Sequence, residues 1–136
     1  MREVEVFNKK FAEWSKKLLA GDIILLYGEV GVGKTQAVRA IVEGFGGKFV
    51  QSPTFAIHQR YKTNFLPIDH LDLYRIKNQK DLESTGFWEI LNDESSITFV
   101  EWAEKLDADD LPIDRRIWLI KIQSDDGDRK IRVKEL

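Results

Sequence analysis

The chain contains no cysteine among its 136 residues. That absence removes disulfides, thiolate zinc sites and a cysteine nucleophile together. Only two histidines are present, His58 and His70, and neither has a partner at ligand spacing, so a histidine-based metal site is not expected. An excess of one charge is also missing: 21 basic and 23 acidic side chains leave a net charge of −2. No long-range field therefore steers the protein towards nucleic acid or an anionic membrane, and no basic stripe interleaves with aromatics as direct nucleic-acid binding would require. No stretch approaches the apolar length of a membrane span, and "MREVEVFNKK" has no apolar core of signal-peptide length, which leads to the expectation of a cytoplasmic protein. Internal repeats, low-complexity linkers and a Ser-His-Asp arrangement are absent as well.

What is present is a globular balance of 43% hydrophobic and 32% charged residues. The length suits one domain over residues 1–136 with one core. "REVEVF" alternates charged and apolar residues at period two, which predicts a half-exposed strand. Asn8 then reads as the N-cap of a helix over "KKFAEWSKKLLAG", with Phe11, Trp14 and Leu18 on one face and Gly21 at its end. "DIILLY" is a short continuous apolar run, the mark of a strand buried on both faces. After a glycine-rich loop, Ala37, Val38, Ile41, Val42 and Phe45 recur at helical spacing until "GFGG". "KFV", "FAIHQRY" and "FLPID" read as strands, with "SPT" as a break between the first two. "KDLESTGFWEIL" reads as a helix interrupted by Gly86. "ITFVEW" is a further buried strand ending in an acid, and "SDDGD" between two alternating runs predicts a hairpin turning at Gly127. The order points to an α/β fold with a central, mixed but mostly parallel sheet.

"GEVGVGKT", residues 28–35, fits the phosphate-loop pattern G-x-x-x-x-G-K-[ST], with Gly28, Gly33, Lys34 and Thr35 in place. Glycines let backbone N–H groups curl round an anion with no Cβ in the way. The helix that starts near Gly33 aims its unpaired N–H groups and positive dipole end at the same anion. Lys34 can reach β- and γ-phosphates, and the Thr35 hydroxyl can coordinate Mg²⁺. Gly31 adds flexibility, while Glu29 and Val30 are expected to be exposed; Val32 completes the loop. A glycine turn that binds nothing is the alternative, and the strand before and helix after weigh against it.

A phosphate loop alone binds; hydrolysis needs an acid near the metal and a group that orients water. "ITFVEW" supplies Glu101 at a strand end, although a plain surface glutamate would look the same. Asp72 in "HLDLYR" and Thr54 in "SPTF" are further candidates, each of which could instead cap backbone groups.

Taken in order, "GEVGVGKT", "SPTF", "HLDLYR" and "VEWAE" resemble the TsaE family, the bacterial ATPase subunit of the machinery that makes N6-threonylcarbamoyladenosine in tRNA. The resemblance runs from about Asn8 to the terminal hairpin. It implies a three-layer sandwich of the phosphate-loop NTPase kind, ATP with Mg²⁺, weak ATPase activity, and the TsaB and TsaD subunits as protein partners, with tRNA engaged only indirectly. Residues Gly28 to Thr35 would cradle ATP, with Gln36 just beyond, and Thr35 and Glu101 would serve the metal. Asp72 matches a second functional acid near the metal or the attacking water, and Thr54 sits on a switch-like loop. The adenine in such proteins lies towards the first helix and the terminal hairpin, which makes Lys9 and Arg129 candidates. The chain departs from the family in having "VGV" for a usual Leu-Gly-Ala run, and Gln36 for a common second threonine.

Rival functions carry less. A small metabolite kinase would need an acceptor pocket and a lid for which little chain remains. A GTPase would need D-x-x-G and a guanine-reading N-K-x-D, and neither occurs. A binding module that holds nucleotide without hydrolysis stays open, opposed by the presence of both Asp72 and Glu101.

Overall fold

The apolar run after Asp22 forms the central strand of a six-stranded sheet. The computed structural model describes residues 3–29, 32–49, 57–112 and 114–136. Strand β1 (Ile23–Tyr27) is buried along almost its whole length, between β4 (Ile97–Glu101) and β5 (Ile117–Asp125), both parallel to it. Strand β3 (Ile68–Asp72) continues the parallel set beyond β4. Antiparallel strands close the two edges, β2 (His58–Tyr61) beside β3 and β6 (Asp128–Glu135) beside β5, giving the order β2-β3-β4-β1-β5-β6. The expected mixed, mostly parallel sheet is what forms.

Alternation along the strands divides the core into two layers. Ile24, Leu26, Phe99, Ile120 and Ile122 face helices α1 (Glu3–Trp14) and α2 (Lys34–Gly44), which contribute Phe7, Phe11, Val38, Ile41 and Val42. Ile23, Leu25, Leu71 and Val100 face the short helices α3 (Gln79–Glu83) and α4 (Phe87–Leu91), through Leu82, Phe87 and Leu91. The result is a three-layer α/β sandwich. Among the described residues no helix is long and apolar enough to cross a membrane.

The first element departs from expectation. "REVEVF" is not a strand; its residues from Glu3 onwards open α1, and Asn8, expected to cap that helix, lies inside it. Period two over six residues is also compatible with a helix that buries one side. Phe7 and Phe11, one turn apart, pack edge to face at 4.9 Å and are both buried, while Val4 stays exposed. Glu3 and Glu5 in the first turn suit the positive end of the helix dipole. The helix also stops sooner than expected, tightening into a 3-10 turn at Ser15–Lys17 before Gly21, whose φ of 89° starts the entry to β1.

Lys48 and Phe49 of "KFV" form no strand, and Val50 lies outside the described residues. The "SPT" break, Phe55 and Ala56 lie outside them too, and β2 begins at His58. Gly86 splits the predicted helix into α3 and α4 by adopting φ 76°, a left-handed cap. In the hairpin Asp126 and Gly127 both have positive φ, 47° and 87°, the signature of a primed two-residue turn.

Candidate functional site

The C-terminal ends of β1, β3 and β4 meet at one rim of the sheet, where ligands of open α/β sheets bind. The glycine loop leaves β1 at that rim and enters α2. Gly28 has φ 150°, and a Cβ there would lie 2.7 Å from the Ile122 carbonyl oxygen and 2.7 Å from Val32 Cγ1. Gly33 has φ 118°, and its Cβ would lie 2.5 Å from Arg129 Nη1. Packing against the Ile122 backbone thus excludes a side chain at Gly28, whereas at Gly33 the positive φ is what disfavours one, since the Arg129 tip can move. No side chain caps the start of α2, so its first-turn N–H groups are left for another acceptor. Glu29 is exposed as expected, whereas Val32 is a core residue; Val30 and Gly31 lie outside the described residues.

Lys34 is buried, with 5% exposure, which is unusual for an ammonium. Its Nζ donates to the Gly28 carbonyl at 2.7 Å and rests 4.3 Å from the centroid of the Trp102 ring. Trp102 holds that place from a left-handed backbone, φ 60°. A carbonyl and an aromatic face thus occupy the lysine within the protein.

Thr35 Oγ1 lies 3.0 and 3.2 Å from the two oxygens of the Glu101 carboxylate and donates to it. Glu101 ends β4, 4% exposed, and its register partner on β3 is Asp72. Two carboxyl groups thus end adjacent parallel strands on the same face of the sheet. Asp72 Oδ1 accepts the Tyr74 N–H at 3.0 Å. Burial pushes the Asp72 carboxyl above the usual carboxylate range and Glu101 adds to the push, against the Tyr74 N–H, His70 and Lys34. Burial, then Glu101, likewise push the Tyr61 hydroxyl up to about 12.

His70 has no partner at ligand spacing along the chain; strand pairing supplies one. It stands two residues before Asp72 on β3, completely buried, with Nε2 2.5 Å from Glu101 Oε2. Period two from Asp72 back to His70 was the available signal, but only the pairing of β3 with β4 reveals what the ring faces. Among the described residues no group of three or more histidine and acidic side chains could hold a metal alone. A hydroxyl beside a carboxylate is nonetheless a hard-oxygen pair of the kind Mg²⁺ takes together with phosphate and water.

The candidates from α1 and the hairpin fare differently. Arg129 is pinned: its Nε and Nη2 donate to the Glu3 carboxylate at 2.7 to 3.1 Å, and its Nη1 donates to Gln36 Oε1 at 2.8 Å. The guanidinium also stacks 3.6 Å over Phe7. Gln36 in turn donates to Asn8 Oδ1 at 3.0 Å, so both ends of its amide are engaged within the protein. Lys9 is exposed on α1. Thr54 lies outside the described residues. On the far side of Gly28 a cleft of about 680 Å³ opens between Tyr27, Trp102, Glu104, Lys121 and Gln123.

Known proteins resemble the chain in sequence and in fold. The family model described as "Threonylcarbamoyl adenosine biosynthesis protein TsaE" matches residues 2–131. A Rickettsia typhi protein named tRNA threonylcarbamoyladenosine biosynthesis protein TsaE is 41% identical over 105 residues, 76% of this chain and 69% of the relative. Its namesake from Bacillus subtilis is 36% identical over 125 residues, 91% and 75% of the two chains. The crystal structure of B. subtilis YdiB superposes with a TM-score of 0.71 at 25% identity, over 99% of this chain and 81% of that one. With the family match spanning nearly all of its residues, the chain belongs to the TsaE family.

Proposed function

We propose that the protein binds ATP with Mg²⁺ at the glycine loop, hydrolyses it slowly, and serves tRNA threonylcarbamoyladenosine synthesis as a subunit acting with TsaB and TsaD. The observation that supports this most is the convergence of Lys34, Thr35, Glu101 and Asp72 at one rim, with Thr35 3.0 Å from a carboxylate that ends the neighbouring strand.

The N–H groups at the start of α2 would receive the phosphates, and Lys34 would exchange the Gly28 carbonyl for β- and γ-phosphate oxygens. The Thr35 hydroxyl and the Glu101 carboxylate would hold Mg²⁺, which would supply charge neutralisation at the phosphates. The reaction forms one bond from a water oxygen to the γ-phosphorus and breaks the bond to the β–γ bridging oxygen, releasing ADP and phosphate. Asp72 suits the acceptor of the water proton, because a carboxyl held above its usual range is the more basic for it. Trp102 would keep water from Lys34 with its ring.

The test is a titration with ATP and with GTP, each with and without Mg²⁺, followed by phosphate release in the presence and absence of TsaB and TsaD. Mg²⁺-dependent ATP binding with partner-stimulated release is the expected result. Binding without release under every condition would leave a nucleotide-dependent binding module.

A further inference from the structure

His70 is buried on β3 beside an aromatic pair. Its ring centroid is 6.4 Å from that of Phe49, which stacks on Tyr61 at 5.0 Å. The imidazole brings two polar nitrogens there. Nε2 meets Glu101 Oε2 at 2.5 Å, while Nδ1 is buried without a partner among the described residues. Nε2 faces a carboxylate oxygen, and an imidazole N–H is the donor that can meet it there.

The carboxylate it touches has two ways to turn. Thr35 Oγ1 is placed between both Glu101 oxygens and does not by itself select a rotamer. Asp72, in register on the next strand, repels an ionised Glu101. The Nε2–H breaks the symmetry by engaging Oε2 and leaving Oε1 with Thr35 as its sole donor among the described residues.

We propose that His70 is a positioning residue, whose Nε2–H locks the Glu101 carboxylate so that Oε2 is committed to the protein and Oε1 to the nucleotide side. It touches neither substrate nor metal. This rests on the reading that Glu101 serves ATP turnover, and the experiment separates the two.

Two variants and one spectrum test it. His70→Phe keeps ring and volume but removes the donor; His70→Gln keeps an N–H close to the Nε2 position. With TsaB and TsaD present, His70→Phe should lower kcat by about tenfold or more, the usual scale for losing a group that orients a ligand, while KM for ATP moves within about threefold. His70→Gln should recover most of the loss. Long-range ¹H–¹⁵N correlation of the nucleotide-free parent should show His70 protonated at Nε2 in a hydrogen bond, which needs no activity to be read. Turnover by His70→Phe at the parent's rate overturns the positioning role alone. Equal impairment of both variants makes shape, and not donation, the requirement, and overturns it too. A spectrum with the proton on Nδ1 and none on Nε2 does so independently, even if a variant fails to fold. A parent that binds ATP under no condition overturns the underlying nucleotide reading instead.

Discussion

Lys34 is held by a carbonyl oxygen and an aromatic ring in a site where it is otherwise buried. Its ammonium is the one positive side-chain charge in residues 28–35. Lys34→Ala should reduce ATP affinity at least tenfold by calorimetry, since charge-assisted hydrogen bonds of this kind contribute roughly 1.5 to 3 kcal/mol. Unchanged affinity would remove the phosphate-loop reading. Glu101→Ala should instead leave the Mg²⁺-independent part of ATP binding in place and lower phosphate release by about two orders of magnitude, the scale for losing a positioned catalytic group. Combined with Asp72→Ala it should be little worse than either alone if the pair acts as a unit. Asp72 carries a separate stability signature. Its carboxyl is raised above 3.8 by burial and by Glu101, so it favours the fold only while protonated, and that contribution is lost as pH rises through the raised value. Asp72→Asn should therefore melt higher than the parent at neutral pH, with the gain shrinking as pH falls towards the ordinary carboxylate value, and with turnover lost.

At the scale of elements, the parts written in strong local signals were legible. The glycine loop, the buried runs of β1 and β4, and the Asp-Gly turn each carry their own geometry in a few residues. Helix α1 was not, because six residues of alternating charge fit a strand or a one-sided helix equally, and the deciding contacts come from afar. Glu3 meets Arg129 from the opposite end of the chain, and Phe7 takes the guanidinium on its face. The pairing of His70 with Glu101 was hidden for the same reason: register between β3 and β4 is a tertiary fact. Arg129, expected near the adenine, joins α1, the hairpin and Gln36. The cap between α3 and α4 offers a clean test of an element boundary. A Cβ at Gly86 would meet only Glu89 Oε2, at 3.4 Å, so the penalty of Gly86→Ala is conformational. Urea unfolding should show a loss of about 1 to 2 kcal/mol at constant slope, with nucleotide affinity unchanged.

For the molecule as a whole, the candidate site sits at one rim, with a cleft beside Trp102. Coupling between nucleotide state and partner binding commonly runs through loops that touch the γ-phosphate. Association with TsaB and TsaD should therefore be stronger in ATP than in ADP, measured by co-purification, and Thr54→Ala should weaken that difference more than it weakens ATP affinity. Equal association in both nucleotides would leave an ordinary small ATPase.

The position of β1 has a consequence for synthesis on the ribosome. This strand delivers the glycine loop, yet its two neighbours in the sheet come from residues 98–101 and 117–121. A nascent chain that has made the loop holds it on a strand with neither flank paired, and the rim stays unbuilt until β5 has emerged. The second flank of the central strand is thus supplied only by the fifth of six strands. Chains cut short before β5 would carry the whole glycine motif and still lack the frame that makes it a site, so incomplete products would not compete for nucleotide.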